Sequence, residues 1–252
     1  MPIRQFANRR GPLISAHRGF SAVAPENTMP ALQAAFDAGA DIAEIDIRMT
    51  ADGALVLMHD AALDRTTTGS GPLSAMTLAE IRKLDAGSWF GPGYAGTPVP
   101  TLDEVLEWSR GRLGLLIELK NFPDRDPAFV DLLISAIETS AAEDFAMPAC
   151  FDHPTLAKLH HRHPGWPLEM IVPCRLADPV HAARAAGATL LSLEPDFTVA
   201  EDIEALHAAG LSVLTTVTSP VQGRHLLKIG VDILESNDVG VAVSTLREYG
   251  AR

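Results

Sequence analysis

Cysteine is almost absent. The 252-residue chain has two, Cys150 and Cys174. That is too few for a disulfide framework, and no Cys/His spacing suits zinc. Both thiols are expected to be buried, in a reducing compartment. Basic residues are also scarce: 20 Lys and Arg against 32 Asp and Glu give a net charge of −12. A broad nucleic-acid face needs clustered cations, so no nucleic-acid partner is expected. A small anionic ligand stays compatible, because a few local cations or a metal reverse the nearby field. Long apolar runs are missing too. No stretch approaches the ~18 apolar residues of a membrane span, and "MPIRQFANRRGPL" lacks a signal-peptide core. The expectation is no membrane span and a cytoplasmic location.

What is present is a regular alternation. Apolar runs read as strands: "LISAH", "IAEIDIRM", "RLGLLIELK", "DFAMPACF", "PLEMIV", "TLLSLE", "LSVLTTV" and "VDILES". Helix-like stretches separate them. Thr77–Glu80, Thr101–Glu104 and Thr198–Glu201 have capping-box spacing at helix starts. The strands lack clean period-two alternation, as expected when helices cover both faces. Eight such units in about 250 residues predict an α/β fold, a single (β/α)8 TIM-type barrel spanning 1–252. A doubly wound sheet usually shows an early G-x-G-x-x-G, and none occurs here. From about 60 to 100 the chain turns rich in Gly, Pro, Ser and Thr, with one short helix expected over Leu78–Leu84. This is a small insertion after strand two. Its aromatic residues Trp89, Phe90 and Tyr94 would pack it onto the barrel.

In such barrels the C-terminal strand ends carry the chemistry. His17 and Arg18 end the first strand, and Glu44 and Asp46 lie near the end of the second. Asp52-Gly53 then signals a two-residue hairpin turn. That register sets His59 opposite Asp46. Glu118 and Lys120 end the third strand, two apart and on one face. Three carboxylates together repel unless a proton or a cation joins them. Oxygen-only ligands suit one hard divalent cation, Mg²⁺ or Ca²⁺. Arg18 and Lys120 beside it suit a phosphate. His17 and His59 suit a general acid and base. Asn27 is read as the cap of the first helix.

The motifs "AHRG…PENT", "EIDIRMTADGALVLMHD", "LDRTTTGSG", "TLAEIRKLDAGSWF", "VPTLDEVL" and "IELK" resemble, in order and spacing, the glycerophosphodiester phosphodiesterase family. The resemblance is dense from Ala16 to Lys120 and looser to about Asn237. It implies a metal-dependent barrel enzyme that hydrolyses small-molecule glycerophosphodiesters to an alcohol and glycerol 3-phosphate. It implies His17 and His59 as the acid/base pair, Glu44, Asp46 and Glu118 as metal ligands, and Arg18 and Lys120 as phosphate contacts. The nucleophile is water or the substrate's own neighbouring hydroxyl. Lysophospholipids or non-glycerol diesters are the alternative substrates. The chain departs from the family pattern at Thr215, where an aromatic residue usually lines the glycerol side, and at Asn237, where many relatives carry Asp.

Overall fold

A computed structural model describes residues 11–122 and 125–251. Most of the N-terminal segment read for a signal peptide therefore lies outside the described residues. Among the described residues there are nine strands: β1 (Leu13–Ala16), β2 (Ile42–Met49), β3 (Leu55–Leu57), β4 (Gly114–Leu119), β5 (Ala146–Cys150), β6 (Glu169–Val172), β7 (Leu190–Leu193), β8 (Ser212–Thr216) and β9 (Ile233–Ser236). All but β3 run parallel. β1 pairs with both β2 and β9, which closes the ring into the expected eight-stranded barrel. Every residue of β1, β4 and β5 is buried, which explains the weak alternation. One face of the strands packs on the barrel axis. There Leu13, Ile42, Leu116, Met147, Leu190, Leu214 and Ile233 form their own cluster, the barrel floor. β6 contributes differently. Glu169 is in register with Leu190, so a carboxyl takes its place in that apolar ring.

Helices α1 (Met29–Asp37), α3 (Leu102–Ser109), α4 (Pro127–Thr139), α5 (His153–Arg162), α6 (Pro179–Ala186), α7 (Ala200–Ala208), α8 (Pro220–Lys228) and α9 (Val239–Tyr249) cover the outside. Their apolar stripes meet the outward strand residues, such as Ile45, Ile117 and Val213, in one continuous core. The capping box at Thr101 and Glu104 starts α3 as its spacing predicts. The Thr198–Glu201 spacing does not form one. Thr198 donates to the Glu194 carbonyl (2.9 Å), and α7 begins at Ala200 with Val199 as its cap. Cys150 is buried as expected, whereas Cys174 is exposed in the loop beyond β6.

The β2–β3 hairpin departs from the two-residue turn by one residue. The Thr50 N–H donates to the Ala54 carbonyl (2.9 Å), and the Gly53 N–H donates to Thr50 (3.1 Å). The turn therefore holds Ala51, Asp52 and Gly53, with Gly53 left-handed at φ +84°. Met49 pairs with Leu55 and Ile47 with Leu57. Met58, not His59, lies opposite Asp46, its N–H donating to the Asp46 carbonyl (3.0 Å). His59 reaches the mouth for another reason: β3 stops at Leu57 and the chain bends at His59 and Asp60.

The insertion has a core of its own, in which Leu63, Leu73, Ile81 and Val99 pack under β3. Its helix α2 spans Leu78–Ile81, shorter than expected. Trp89, Phe90 and Tyr94 stack edge to face, and the Tyr94 hydroxyl donates to the Val23 carbonyl (2.7 Å). That bond ties the insertion to the loop after β1. Among the described residues, no helix is long and apolar enough to cross a membrane.

Candidate active site

The site begins where β1 stops. Arg18 adopts a left-handed backbone, φ +58°, which costs a non-glycine residue. Its N–H donates to Glu44 Oε2 (2.9 Å) in return. Gly19 follows at φ +76°, and a Cβ there would sit 2.8 Å from the Ala31 backbone. Only glycine lets α1 approach this turn. The result aims His17 and Arg18 into the mouth.

β2 and β4 supply the carboxylates. Asp46 and Glu118 are register partners, and Glu44 lies two residues below Asp46. All three are buried, and one oxygen of each lies within 4.8 Å of the others. Glu44 Oε1, Asp46 Oδ1 and Glu118 Oε1 accept no hydrogen bond. The Lys120 ammonium lies 3.1 Å from Asp46 Oδ1 and against Glu118 Oε1, as an ion pair rather than in hydrogen-bonding geometry. Arg18 Nε lies 3.3 Å from Asp46 Oδ2.

These charges sort the three acids. Burial pushes the Glu44 pKa well up, and the Asp46, Glu235 and Glu118 charges push it further. Burial likewise raises Glu118, to about 7, against the pull of Lys120. Burial opposes the Asp46 charge too, but Lys120, Arg18 and the Asn27 amide outweigh it and hold that pKa down. Two acids that resist ionisation around one that does not form a pocket short of positive charge. Three clustered carboxylates, each with an oxygen that accepts no hydrogen bond, fit a hard divalent cation.

Each histidine is held at one nitrogen. His17 Nδ1 lies 2.6 Å from Asn237 Oδ1. An amide oxygen only accepts, so the proton is on Nδ1 and Nε2 faces the carboxylates, 4.0 Å from Glu44 Oε2. His59 Nδ1 lies 2.7 Å from Asp60 Oδ1, which again leaves Nε2 basic. Burial lowers the His59 pKa, partly offset by its bond to Asp60 and by the Asp46 charge.

All seven residues singled out in the sequence thus converge at the C-terminal strand ends. Several others act beside them. Asn27 does not cap α1; Thr28 does. Asn27, left-handed at φ +56°, instead clamps Asp46. Its Nδ2 donates to Asp46 Oδ2 (2.7 Å), and its Oδ1 accepts from the Asp46 N–H (3.0 Å). Arg48 joins two loops, donating to the His59 carbonyl (2.8 Å) and the Lys120 carbonyl (3.1 Å). Asp60 follows His59 directly, and Asn237 directly follows the last strand; both positions are visible in sequence once the rim is assigned. Thr215 does not line the pocket. It is wholly buried, and its hydroxyl donates back to the Leu193 carbonyl (2.7 Å). Thr216 beside it is the exposed residue.

A closed parallel barrel with buried acids and paired histidines at its C-terminal mouth defines a hydrolytic (β/α)8 enzyme. The glycerophosphoryl diester phosphodiesterase family matches residues 17–241. A glycerophosphodiester phosphodiesterase of Caldanaerobacter subterraneus is 35% identical, with 94% of this chain and 99% of that one aligned. A phosphodiesterase of Oleispira antarctica, solved with the product sn-glycerol-3-phosphate, is 28% identical. It superposes with a TM-score of 0.88 over 94% of this chain and 97% of that one. A glycerophosphodiester phosphodiesterase of Agrobacterium tumefaciens gives a TM-score of 0.83 at 30% identity, covering 92% and 99% of the two chains. The chain belongs to the glycerophosphoryl diester phosphodiesterase family, and is an enzyme of the phosphodiester hydrolase class.

Proposed function

We propose that the protein hydrolyses glycerophosphodiesters, such as glycerophosphocholine and glycerophosphoethanolamine, to an alcohol and glycerol 3-phosphate. The observation that carries this reading is the buried cluster of three carboxylates, each with one oxygen that accepts no hydrogen bond, flanked by two histidines each anchored at Nδ1. The Oleispira relative's bound sn-glycerol-3-phosphate supports it. Glu44, Asp46 and Glu118 would hold one divalent cation, Mg²⁺ or Ca²⁺. When bound, such a cation neutralises phosphate charge as a Lewis acid. Arg18 and Lys120 grip the phosphate oxygens and stabilise charge that grows in the transition state. One histidine Nε2 takes the proton of the attacking oxygen, from water or from the neighbouring glycerol hydroxyl. The other, entering the step as the imidazolium, gives its Nε2 proton to the leaving alkoxide. Purified protein should release glycerol 3-phosphate from glycerophosphocholine with Mg²⁺ or Ca²⁺ and stop when chelated. Equal rates after chelation would remove the metal; no release with either ion would remove the substrate class.

A second reading has one observation behind it. Val23, Phe151, Phe197 and Val221 are exposed apolar residues in segments following β1, β5, β7 and β8, around the mouth. Such a rim suits the acyl chain of a lysophospholipid. Turnover of lysophosphatidylcholine faster than glycerophosphocholine would favour it.

A further inference from the structure

Five side chains run across the mouth in alternating charge: Arg18, Glu26, Arg65, Asp60 and His59. Arg65 sits in the middle. Through Nη1 and Nη2 it donates to Glu26 Oε2 and Oε1, both at 2.8 Å. Through Nε and Nη2 it donates to Asp60 Oδ2 (2.6 Å) and Oδ1 (3.1 Å). Both forks of one guanidinium are thus used, each on a different carboxylate. Glu26 Oε1 also accepts from Arg18 Nη1 (3.0 Å), and Asp60 Oδ1 faces His59 Nδ1 (2.7 Å). Arg65 touches neither the carboxylate triad nor the histidines. It lies in the insertion, Glu26 in the loop after β1, and Asp60 past β3.

We propose that Arg65 is a positioning residue. It fixes the phosphate-gripping arginine and the proton-transferring histidine relative to one another, through Glu26 on one side and Asp60 on the other. The inference rests on the roles proposed above for Arg18 and His59. An exposed ion pair is ordinarily worth little, but planar bidentate geometry within a network is the exception. Only a guanidinium has the shape for this. A lysine ammonium is a point charge and cannot bind two carboxylates by two forks. Misplacing a catalytic group by about 1 Å can cost roughly a hundredfold in rate.

The test uses the full chain with Mg²⁺ or Ca²⁺, on glycerophosphocholine and on bis(4-nitrophenyl) phosphate. Glu26→Gln should act mainly on KM and Asp60→Asn mainly on kcat, whereas Arg65→Ala should worsen both. The combined loss in kcat/KM for Arg65→Ala should be roughly 10- to 100-fold. Millimolar guanidinium should restore part of it, and equal NaCl or urea should not. Arg65→Lys, the milder change for folding, should stay impaired and unrescued. The Glu26→Gln and Asp60→Asn losses should be non-additive in the wild-type background and additive once Arg65 is replaced. A folded Arg65→Ala or Arg65→Lys protein within twofold of wild type would overturn the proposal, as would strict additivity in both backgrounds. A wild-type protein inactive on both substrates would instead overturn the function proposed above.

Discussion

Asp46 shows how much one side chain can be asked to do. Its carboxylate is faced by Lys120 and Arg18 and clamped by Asn27, while Glu118 and Glu44 beside it resist ionisation. Proton and cation would therefore compete for the pocket. With Glu118 poised at about 7, cation binding should release protons. Cation affinity should fall up to about tenfold per pH unit as pH drops below 7. Titration calorimetry in buffers of different ionisation enthalpy measures the release; pH-independent affinity between 6 and 8 would contradict it. Replacing His17 or His59 by Ala should lower kcat about 10²–10⁴-fold, and steady-state assays of folded variants would check this. At this scale the sequence was most legible where residue type dictates chemistry. Acids, histidines and cations at strand ends announce themselves. Asn27 did not, because Pro25-Glu26-Asn27-Thr28 offers two capping residues in a row, and only the left-handed turn at Asn27 decides which one caps.

Strands and turns set where these side chains point. The eight barrel strands could be read from the chain because each carries apolar residues on both faces. The hairpin register could not, because Ala-Asp-Gly is compatible with a two- or three-residue turn, and Gly53 alone adopts the left-handed position. Gly19 is the turn that matters most for chemistry. Gly19→Ala should force α1 away from the Arg18 loop, destabilise the fold by about 1–3 kcal/mol and lower activity with it. Urea unfolding and kinetics on one preparation would test both parts. Glu169 makes the opposite case. Burial and the Glu235 and Glu118 charges hold its pKa well above the usual range, and its Oε2 has no partner. A raised carboxyl pKa favours the fold at low pH; that support is lost as pH climbs from the unfolded value toward the folded one. Glu169→Met, matching the apolar ring around it, should therefore stabilise the protein by about 1–3 kcal/mol at pH 8 and by less at pH 5. Equal urea midpoints for variant and wild type at pH 8 would refute this.

The charge of the whole molecule and that of its mouth have opposite effects on an anionic ligand. A net charge of −12 repels an anionic phosphodiester at long range, while Arg18 and Lys120 would attract it only nearby. The Debye length shrinks from about 30 Å to about 8 Å between 0.01 M and physiological salt. Over that range kcat/KM for the monoanion bis(4-nitrophenyl) phosphate should rise, as distant repulsion is screened first. A steady fall would mean that the local cations dominate even the approach.

The barrel also divides labour along its own chain. Every residue given a chemical role above, from His17 to Lys120, lies on the first three strands of the ring and the loops that follow them. The later strands return Asn237 to steady one histidine, and otherwise offer the rim: Phe151, Phe197, Thr216 and Val221. Most of the side chains given a chemical role and most of the exposed apolar rim thus lie in different halves of one closed ring. Phe151, Phe197 and Val221 can be replaced without touching the bonds that join Arg18, Glu26, Arg65, Asp60 and His59.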